Sequence, residues 1–158
     1  MRALAATVQG WGRTRGRALR VVRADATAIV LVDHGSKKRE ANATLDAFAE
    51  VYKRRSGREV VEIAHMEIAE PSISQAVGRC VASGATDIVV APYFLSPGRH
   101  VQKDIPALVD EAAREHPGVD VRLAKPIGID PLVAEIIEAR VVEAMSSAPV
   151  VEGVAYDP

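Results

Sequence analysis

Three side chains in this sequence, His34, Glu67 and His100, are of the types that bind and exchange first-row metal ions. Imidazole is a ligand for iron, cobalt, nickel and zinc, and a carboxylate adds an oxygen ligand that compensates the charge of the ion. Histidine also gains and loses protons near neutral pH, which suits acid and base chemistry. The three residues are widely separated in sequence, so a shared site depends on a fold that brings them together.

Each of the three also has a simpler structural interpretation. His34 could hold a loop by a hydrogen bond, Glu67 could cap the helix that follows it, and His100 could face solvent. The choice between these roles and a common metal site depends on the elements that position the residues.

Strand-like and helix-like segments alternate from Thr27 onward. Short apolar runs rich in β-branched residues predict four strands, at 28–32, 59–66, 88–91 and 119–123. Segments with apolar residues at helical spacing predict four helices, at 38–54, 71–83, 104–115 and 132–145, with a loop at 93–100. This alternation predicts one flavodoxin-like α/β domain, a doubly wound four-stranded parallel sheet with helices on both faces.

The strands of such a sheet all end at one edge, where open α/β sheets bind ligands. His34 stands at the end of the run IVLVDHGS, in which an apolar strand passes directly into small polar residues. Glu67 follows the second predicted strand and His100 the third. The fold therefore predicts that the two histidines and the carboxylate converge at this edge.

Two further residues of reactive type are assigned to structure. His65 lies two residues before Glu67 within a strand, and we expect it to be packed, with a supporting role beside the metal site as the alternative. Cys80 lies on an apolar helix face and is expected to be a small core residue. As the only cysteine, it excludes an intrachain disulfide and a CxxC metal site.

The beginning of the chain differs in composition from the rest. Residues 1–24 hold six of the 20 basic residues, all arginine, and none of the 21 acidic ones, which leaves 14 basic residues in the remainder. An Arg-rich leader without acids is typical of an organelle transit peptide, with a disordered tail as the alternative. The acidic body disfavours a nucleic-acid partner, and no apolar run is long enough to span a bilayer. We divide the chain into a leader (1–26), one domain (27–146) and a short tail (147–158).

Four motifs in the predicted loops resemble one family. DHGS follows the first strand, MEIAEPSI the second, APYFLSPGRHVQKDIP the third and AKPIGID the fourth. In this order they are similar to the short class II chelatases, the sirohydrochlorin chelatases, over about residues 28–142. The combination of AHMEIAEPSI with FLSPGRH is most similar to the plastid-type ferrochelatases of this family, which agrees with an Arg-rich leader and predicts a chloroplast location, with the cytoplasm as the alternative.

The resemblance implies insertion of Fe²⁺ into sirohydrochlorin to form sirohaem without ATP, and the sequence indeed lacks a GxxxxGK[ST] phosphate loop. It makes His34 and His100 the paired histidines of the metal site and Glu67 the matching carboxylate. Cobalt or nickel insertion would use the same ligands. A non-catalytic metal or tetrapyrrole carrier is the alternative from another class. A flavodoxin-like binding module is disfavoured, because a phosphate-binding loop is missing after the first strand.

The implied substrate is a macrocycle with many carboxylates, so its pocket should combine an apolar floor with cationic or N–H donors. The candidates for these contacts, which could equally form an ordinary solvated charge cluster, are Gly35, Ser36, Lys37, Arg39, Arg99 and Lys103. Gly35 and Ser36 would contribute backbone donors near a helix amino terminus. Arg99 is favoured among the cations because it lies beside His100 in a Pro-Gly loop.

The resemblance also bears on assembly and cofactors. One such domain supplies half of the two-lobed cleft of longer chelatases, so a homodimer is expected. Plastid-type members lead us to expect a cysteine-bearing carboxyl-terminal extension with an iron–sulfur cluster, but this sequence ends in SSAPVVEGVAYDP. We therefore expect no iron–sulfur cluster in this chain and no tightly bound cofactor, with the metal ion acting as substrate.

Overall fold

The structure is a computed structural model that describes residues 27–96, 98 and 100–146, with only the backbone described at residue 100. The four strands are β1 (Thr27–Asp33), β2 (Val61–His65), β3 (Asp87–Pro92) and β4 (Asp120–Leu123). The four helices are α1 (Arg39–Ser56), α2 (Ile73–Ala82), α3 (Ile105–Glu115) and α4 (Pro131–Ser146). The predicted leader and tail lie outside the described residues.

The strands form one parallel sheet in the order β2-β1-β3-β4. All four strands are parallel, which confirms the predicted α/β fold. The chain crosses from β1 to β2 at one edge, then returns past β1 to β3, and β4 lies at the other edge. In this register Asp33 at the end of β1 is the partner of His65 at the end of β2, and Val32 is the partner of Pro92 in β3. The segments that follow β1, β2 and β3 therefore begin side by side.

Helices cover both faces of the sheet, as the alternation of strands and helices predicts. On one face α2 and α3 pack against alternate residues of β1 and β3, including Val30, Val32 and Ile88. On the other face Leu45 and Ala49 of α1 pack against the opposite set of residues. Cys80 is fully buried in the first cluster, which confirms its predicted place in the core.

Helix α4 is the exception, because none of its residues is buried. Its apolar side chains, including Leu132, Ile136, Ile137 and Met145, remain exposed. The sequence correctly predicts that this segment is helical, since that depends on local preferences. It does not predict whether the apolar residues are covered, which depends on a packing partner.

Two local predictions need correction. The helix after β2 is capped by Ser72, whose hydroxyl accepts from Gln75 N–H while the Gln75 side chain accepts from Ser72 N–H, so Glu67 is not its cap. The segment predicted as a loop up to His100 instead enters a π-helical turn, His100–Asp104, that leads directly into α3. No described helix is both long and apolar enough to cross a membrane.

Candidate metal and substrate site

His34 and Glu67, the residues after β1 and β2, face each other at the carboxyl edge of the sheet. Nε2 of His34 lies 3.0 Å from Oε1 of Glu67, and the side chains are 44% and 49% exposed. Both groups therefore remain open to a ligand from solvent. The convergence predicted from the two strand ends is present in the fold.

Backbone contacts hold the two residues in place. The N–H of Met66 donates to the carbonyl of Asp33 (2.9 Å), and the N–H of Glu67 donates to the carbonyl of His34 (3.2 Å). The parallel pairing of β1 and β2 thus extends one step beyond the strands, up to the two candidate ligands. The separation of His34 and Glu67 is set by backbone as well as by side chains.

The contacts of the His34 ring suit a bound cation. Nδ1 lies 3.3 Å from the carbonyl oxygen of Gly35, while Nε2 faces the Glu67 carboxylate. A neutral imidazole has only one N–H, and both oxygens are acceptors. Nε2 and Oε1 thus lie within hydrogen-bond distance of each other at 3.0 Å. Both are also atom types that bind a divalent first-row metal ion.

A second pair, Asp33 and His65, lies beneath the first. Nδ1 of His65 donates to Oδ1 of Asp33 at 2.6 Å, and the same oxygen accepts from the N–H of Gly35 at 3.0 Å. The His65 side chain is only 2% exposed, whereas Asp33 is 24% exposed. His65 is packed, as its strand position predicts, and it contacts a carboxylate at the end of the neighbouring strand.

A cleft of about 420 Å³ opens beside His34. The loop after β1 and the start of α1 form its polar side, and the segment after β3 forms an apolar side with Tyr93, Phe94 and Leu95. Tyr93 stacks at a tilt on Phe48 of α1, with ring centroids 4.6 Å apart. The cleft therefore offers an apolar surface next to a candidate metal ligand.

Of the predicted substrate-binding residues, Gly35 and Ser36 line this cleft. The N–H of Gly35 donates to Asp33, and the N–H of Ser36 donates to Oδ1 of Asn42 at 2.9 Å. Asn42 also donates to the Ser36 carbonyl at 2.9 Å. Both backbone donors are thus used within the protein, so a contact from Ser36 to a ligand would come from its hydroxyl.

The predicted cations that the structure describes do not line the cleft. Lys37 is exposed just before α1, Arg39 is exposed at its first residue, and Lys103 is exposed on the π-helical turn. Arg99 lies outside the described residues. The backbone of His100 begins the π-helical turn, while its side chain is not described. Among the described side chains, no group of three metal-ligating residues is assembled.

Sequence reasoning missed two residues that shape this site, Asp33 and Asn42. Asp33 had a local signal, because an Asp two residues before a glycine commonly accepts a hydrogen bond from that N–H. Its partner His65 is 32 residues away and follows from strand register alone. Asn42 had no signal in the sequence, because its hydrogen bond with Ser36 depends on the direction in which α1 starts from the loop after β1.

Comparisons with known proteins agree on one family. The family model described as CbiX matches residues 28–144. A chloroplastic sirohydrochlorin ferrochelatase of Arabidopsis thaliana is 44% identical over 122 residues, which are 77% of this chain and 54% of that protein. A sirohydrochlorin cobaltochelatase of Methanopyrus kandleri is 34% identical over 138 residues, covering 75% of this chain and 96% of that protein.

The fold is also that of a solved chelatase. The crystal structure of the sirohydrochlorin chelatase SirB from Bacillus subtilis subspecies spizizenii, in complex with cobalt, superposes with a TM-score of 0.70 at 36% identity. The match covers 75% of this chain and 50% of SirB. The chain thus spans about half the length of SirB and of the Arabidopsis relative, and nearly the whole length of the Methanopyrus relative.

Proposed function

The chain belongs to the CbiX family, and on that premise we propose that it is a chelatase that inserts Fe²⁺ into sirohydrochlorin to give sirohaem, without ATP. The observation that carries the proposal is the pairing of His34 Nε2 with Glu67 Oε1, which lie 3.0 Å apart on half-exposed side chains beside a partly apolar cleft. The similarity to the Arabidopsis ferrochelatase supports iron as the metal.

We assign His34 and Glu67 as two ligands of the incoming ion, and His100 as the third. His100 begins the π-helical turn that ends the connection from β3 to α3, and β3 is the strand next to β1, which supports a place for it near the carboxyl edge of the sheet. Insertion replaces the ligands of the ion by four ring nitrogens and releases two pyrrole protons. Histidine and carboxylate can hold the ion until the ring arrives, and both are side chains that serve as general bases, so they can then accept those protons.

The cleft suggests how the macrocycle is oriented. Its apolar face can lie against Tyr93, Phe94 and Leu95, which brings the ring centre toward His34. The Ser36 hydroxyl, beside His34 in the cleft lining, can donate to a peripheral carboxylate. We assign the remaining carboxylates to the cations that the sequence singles out, Lys37, Arg39, Arg99 and Lys103, as contacts still to be tested.

Cobalt insertion is the second candidate. The Methanopyrus relative is a cobaltochelatase, and the SirB structure holds cobalt. Imidazole and carboxylate bind Fe²⁺, Co²⁺ and Ni²⁺ with overlapping affinities, so the ligand types leave the choice of metal to be measured.

We further propose a homodimer in the chloroplast stroma. Exposed apolar residues along α4 support association, because a helix with this many uncovered apolar side chains normally packs against something. The Arg-rich leader and the chloroplastic relative support the location. Sedimentation equilibrium should give a dimer mass for the wild type and for Glu138→Lys, but a monomer for Ile136→Lys. A monomeric wild type would contradict the dimer.

The activity is tested by supplying sirohydrochlorin anaerobically with Fe²⁺, Co²⁺ or Ni²⁺ and following the absorption change. We expect many turnovers per chain, fastest with Fe²⁺. The His34→Ala and His100→Ala variants should each lose at least about 100-fold in rate, as expected for loss of a residue that moves a proton. The matched control is His116→Ala, at the far end of α3. Stoichiometric binding without turnover would identify a carrier, and wild-type rates in both variants would contradict the assigned site.

A further inference from the structure

We propose that Asp33 and His65 form a positioning pair that fixes the separation of His34 and Glu67. The inference rests on the proposed function, since it assigns those two residues as metal ligands. His65 is almost fully buried, and Asp33, although it lines the cleft, is assigned a role through its hydrogen bonds rather than as a ligand of the ion. The pair acts through the two loops to which it is joined.

The connectivity of the pair supports this role. Asp33 immediately precedes His34, and His65 lies two residues before Glu67. Asp33 and His65 are register partners at the ends of β1 and β2, so their 2.6 Å hydrogen bond joins the two strands directly beneath the candidate ligands. Any shift of one loop relative to the other would have to stretch this bond.

A third contact extends the connection into the loop after β1. The oxygen of Asp33 that accepts from His65 also accepts from Gly35 N–H, which lies on the far side of His34. His34 therefore lies between Asp33, which bears this carboxylate, and Gly35, which is hydrogen-bonded to it. The Gly35 carbonyl in turn contacts Nδ1 of His34, which orients the ring with Nε2 toward Glu67.

Stability alone does not explain a polar pair at this position. The His65 side chain is only 2% exposed, so this pair costs the removal of an imidazole and part of a carboxylate from water. Apolar residues of similar size often serve stability equally well or better. What an apolar pair could not supply is a directional bond between strand ends, and metal ligands must be held to within about 0.5 Å.

The test compares two substitutions of His65 by Co²⁺ binding, measured from the visible absorption of the ion. His65→Leu fills the space but removes the donor, so Co²⁺ affinity should fall about 10- to 100-fold, as for other residues that orient metal ligands. His65→Asn places an amide N–H close to the position of Nδ1, so affinity should stay within about threefold of wild type.

A control variant separates positioning from general loss of stability. Val77→Ala removes a fully buried side chain on α2, away from the site. Thermal unfolding of each variant is measured beside Co²⁺ binding, and Val77→Ala should bind Co²⁺ like the wild type although its midpoint is lowered. The proposal is overturned if His65→Leu binds Co²⁺ normally, if His65→Asn binds as weakly as His65→Leu, or if affinity simply follows thermal stability across the variants.

The same measurements distinguish this inference from the proposed function. If the wild type binds Co²⁺ and the His65 variants behave as stated, but sirohydrochlorin is not metallated, the positioning pair stands and the proposed activity fails. If sirohydrochlorin is metallated and His65→Leu matches the wild type in Co²⁺ affinity and in the KM for metal, the activity stands and the positioning pair fails. A wild type that binds no Co²⁺ overturns the positioning pair.

Discussion

Gly35 packs so closely against Glu67 that a side chain at residue 35 would overlap the Glu67 carbonyl oxygen. A Cβ atom there would also lie 3.0 Å from Cβ of His65. Gly35 has a φ of +84°, a conformation that residues with a side chain rarely adopt. The loop that presents His34 and the loop that presents Glu67 are therefore in direct contact, and glycine is what allows it.

Gly35→Ala should destabilise the fold and disable the site. The positive φ alone costs about 1–3 kcal/mol, and the overlap with Glu67 adds to it by forcing the loops apart. Gly84→Ala is the matched control, because Gly84 has a φ of +87° and open space around it. Denaturant unfolding should show a larger loss for Gly35→Ala, and the metallation rate should fall only in that variant. Equal losses in both variants would contradict close packing between the loops.

Glu67→Gln should weaken metal use without weakening the fold. An exposed ion pair contributes at most about 1 kcal/mol to stability, so the unfolding midpoint should hardly move. Replacing the carboxylate should raise the KM for Fe²⁺, because a neutral amide oxygen no longer compensates the charge of the ion.

The control for that change is Glu70→Gln, the same substitution three residues further on. Glu70 is exposed, and its carboxylate accepts from Ser72 N–H, which an amide oxygen can also do. Initial rates measured at varied Fe²⁺ concentration should give this variant the same KM for Fe²⁺ as the wild type. A similar rise in KM for both variants would mean that general negative charge, rather than a ligand at Glu67, attracts the ion.

Asn42→Ala should affect the macrocycle more than the metal. It removes both hydrogen bonds that hold Ser36 on α1, each worth about 0.5–1.5 kcal/mol. We expect a higher KM for sirohydrochlorin, because the cleft wall becomes less ordered, with little change in the KM for metal. Thr44→Ala, exposed on the same helix, is the control, and steady-state kinetics with each substrate varied in turn decide the result.

Cys80 should make stability fall at alkaline pH. Burial, with a smaller contribution from the charge of Glu62, raises the pKa of the Cys80 thiol to about 12 from its ordinary value of 9.0. The unfolded chain loses this proton near pH 9, whereas the folded chain keeps it, so the free energy of unfolding should decline from about pH 9 toward 12.

Urea denaturation from pH 8 to about 11 measures this effect as the difference in free energy of unfolding between the wild type and Cys80→Ala. Other groups that titrate in this range contribute equally to both proteins and drop out of the difference. The free energy of unfolding of the wild type should fall relative to that of Cys80→Ala as pH rises. At pH 8 the thiol should react with a disulfide reagent only as fast as the chain opens, since the reactive thiolate is suppressed. Rapid labelling of the native chain would contradict a buried, protonated thiol.

Much of this architecture follows from the sequence because it depends on local patterns. The apolar run before His34 and the capping residues around Ser72 determine strand and helix formation within a few residues of each position. Strands alternating with helices then leave few topologies other than a parallel sheet. From that, the meeting of His34 and Glu67 at one edge could be predicted from the sequence alone. Their shared role as metal ligands stays a prediction.

Other relationships were decided only by the tertiary structure. The bond between Asp33 and His65 depends on which residues become register partners, and a shift by one residue would turn His65 to the other face of the sheet. The use of the Gly35 and Ser36 N–H groups within the loop depends on side chains brought there by folding. Residue types and periodicity act over a few positions of the chain, whereas the distance between two strand ends is set by the packing of the whole sheet.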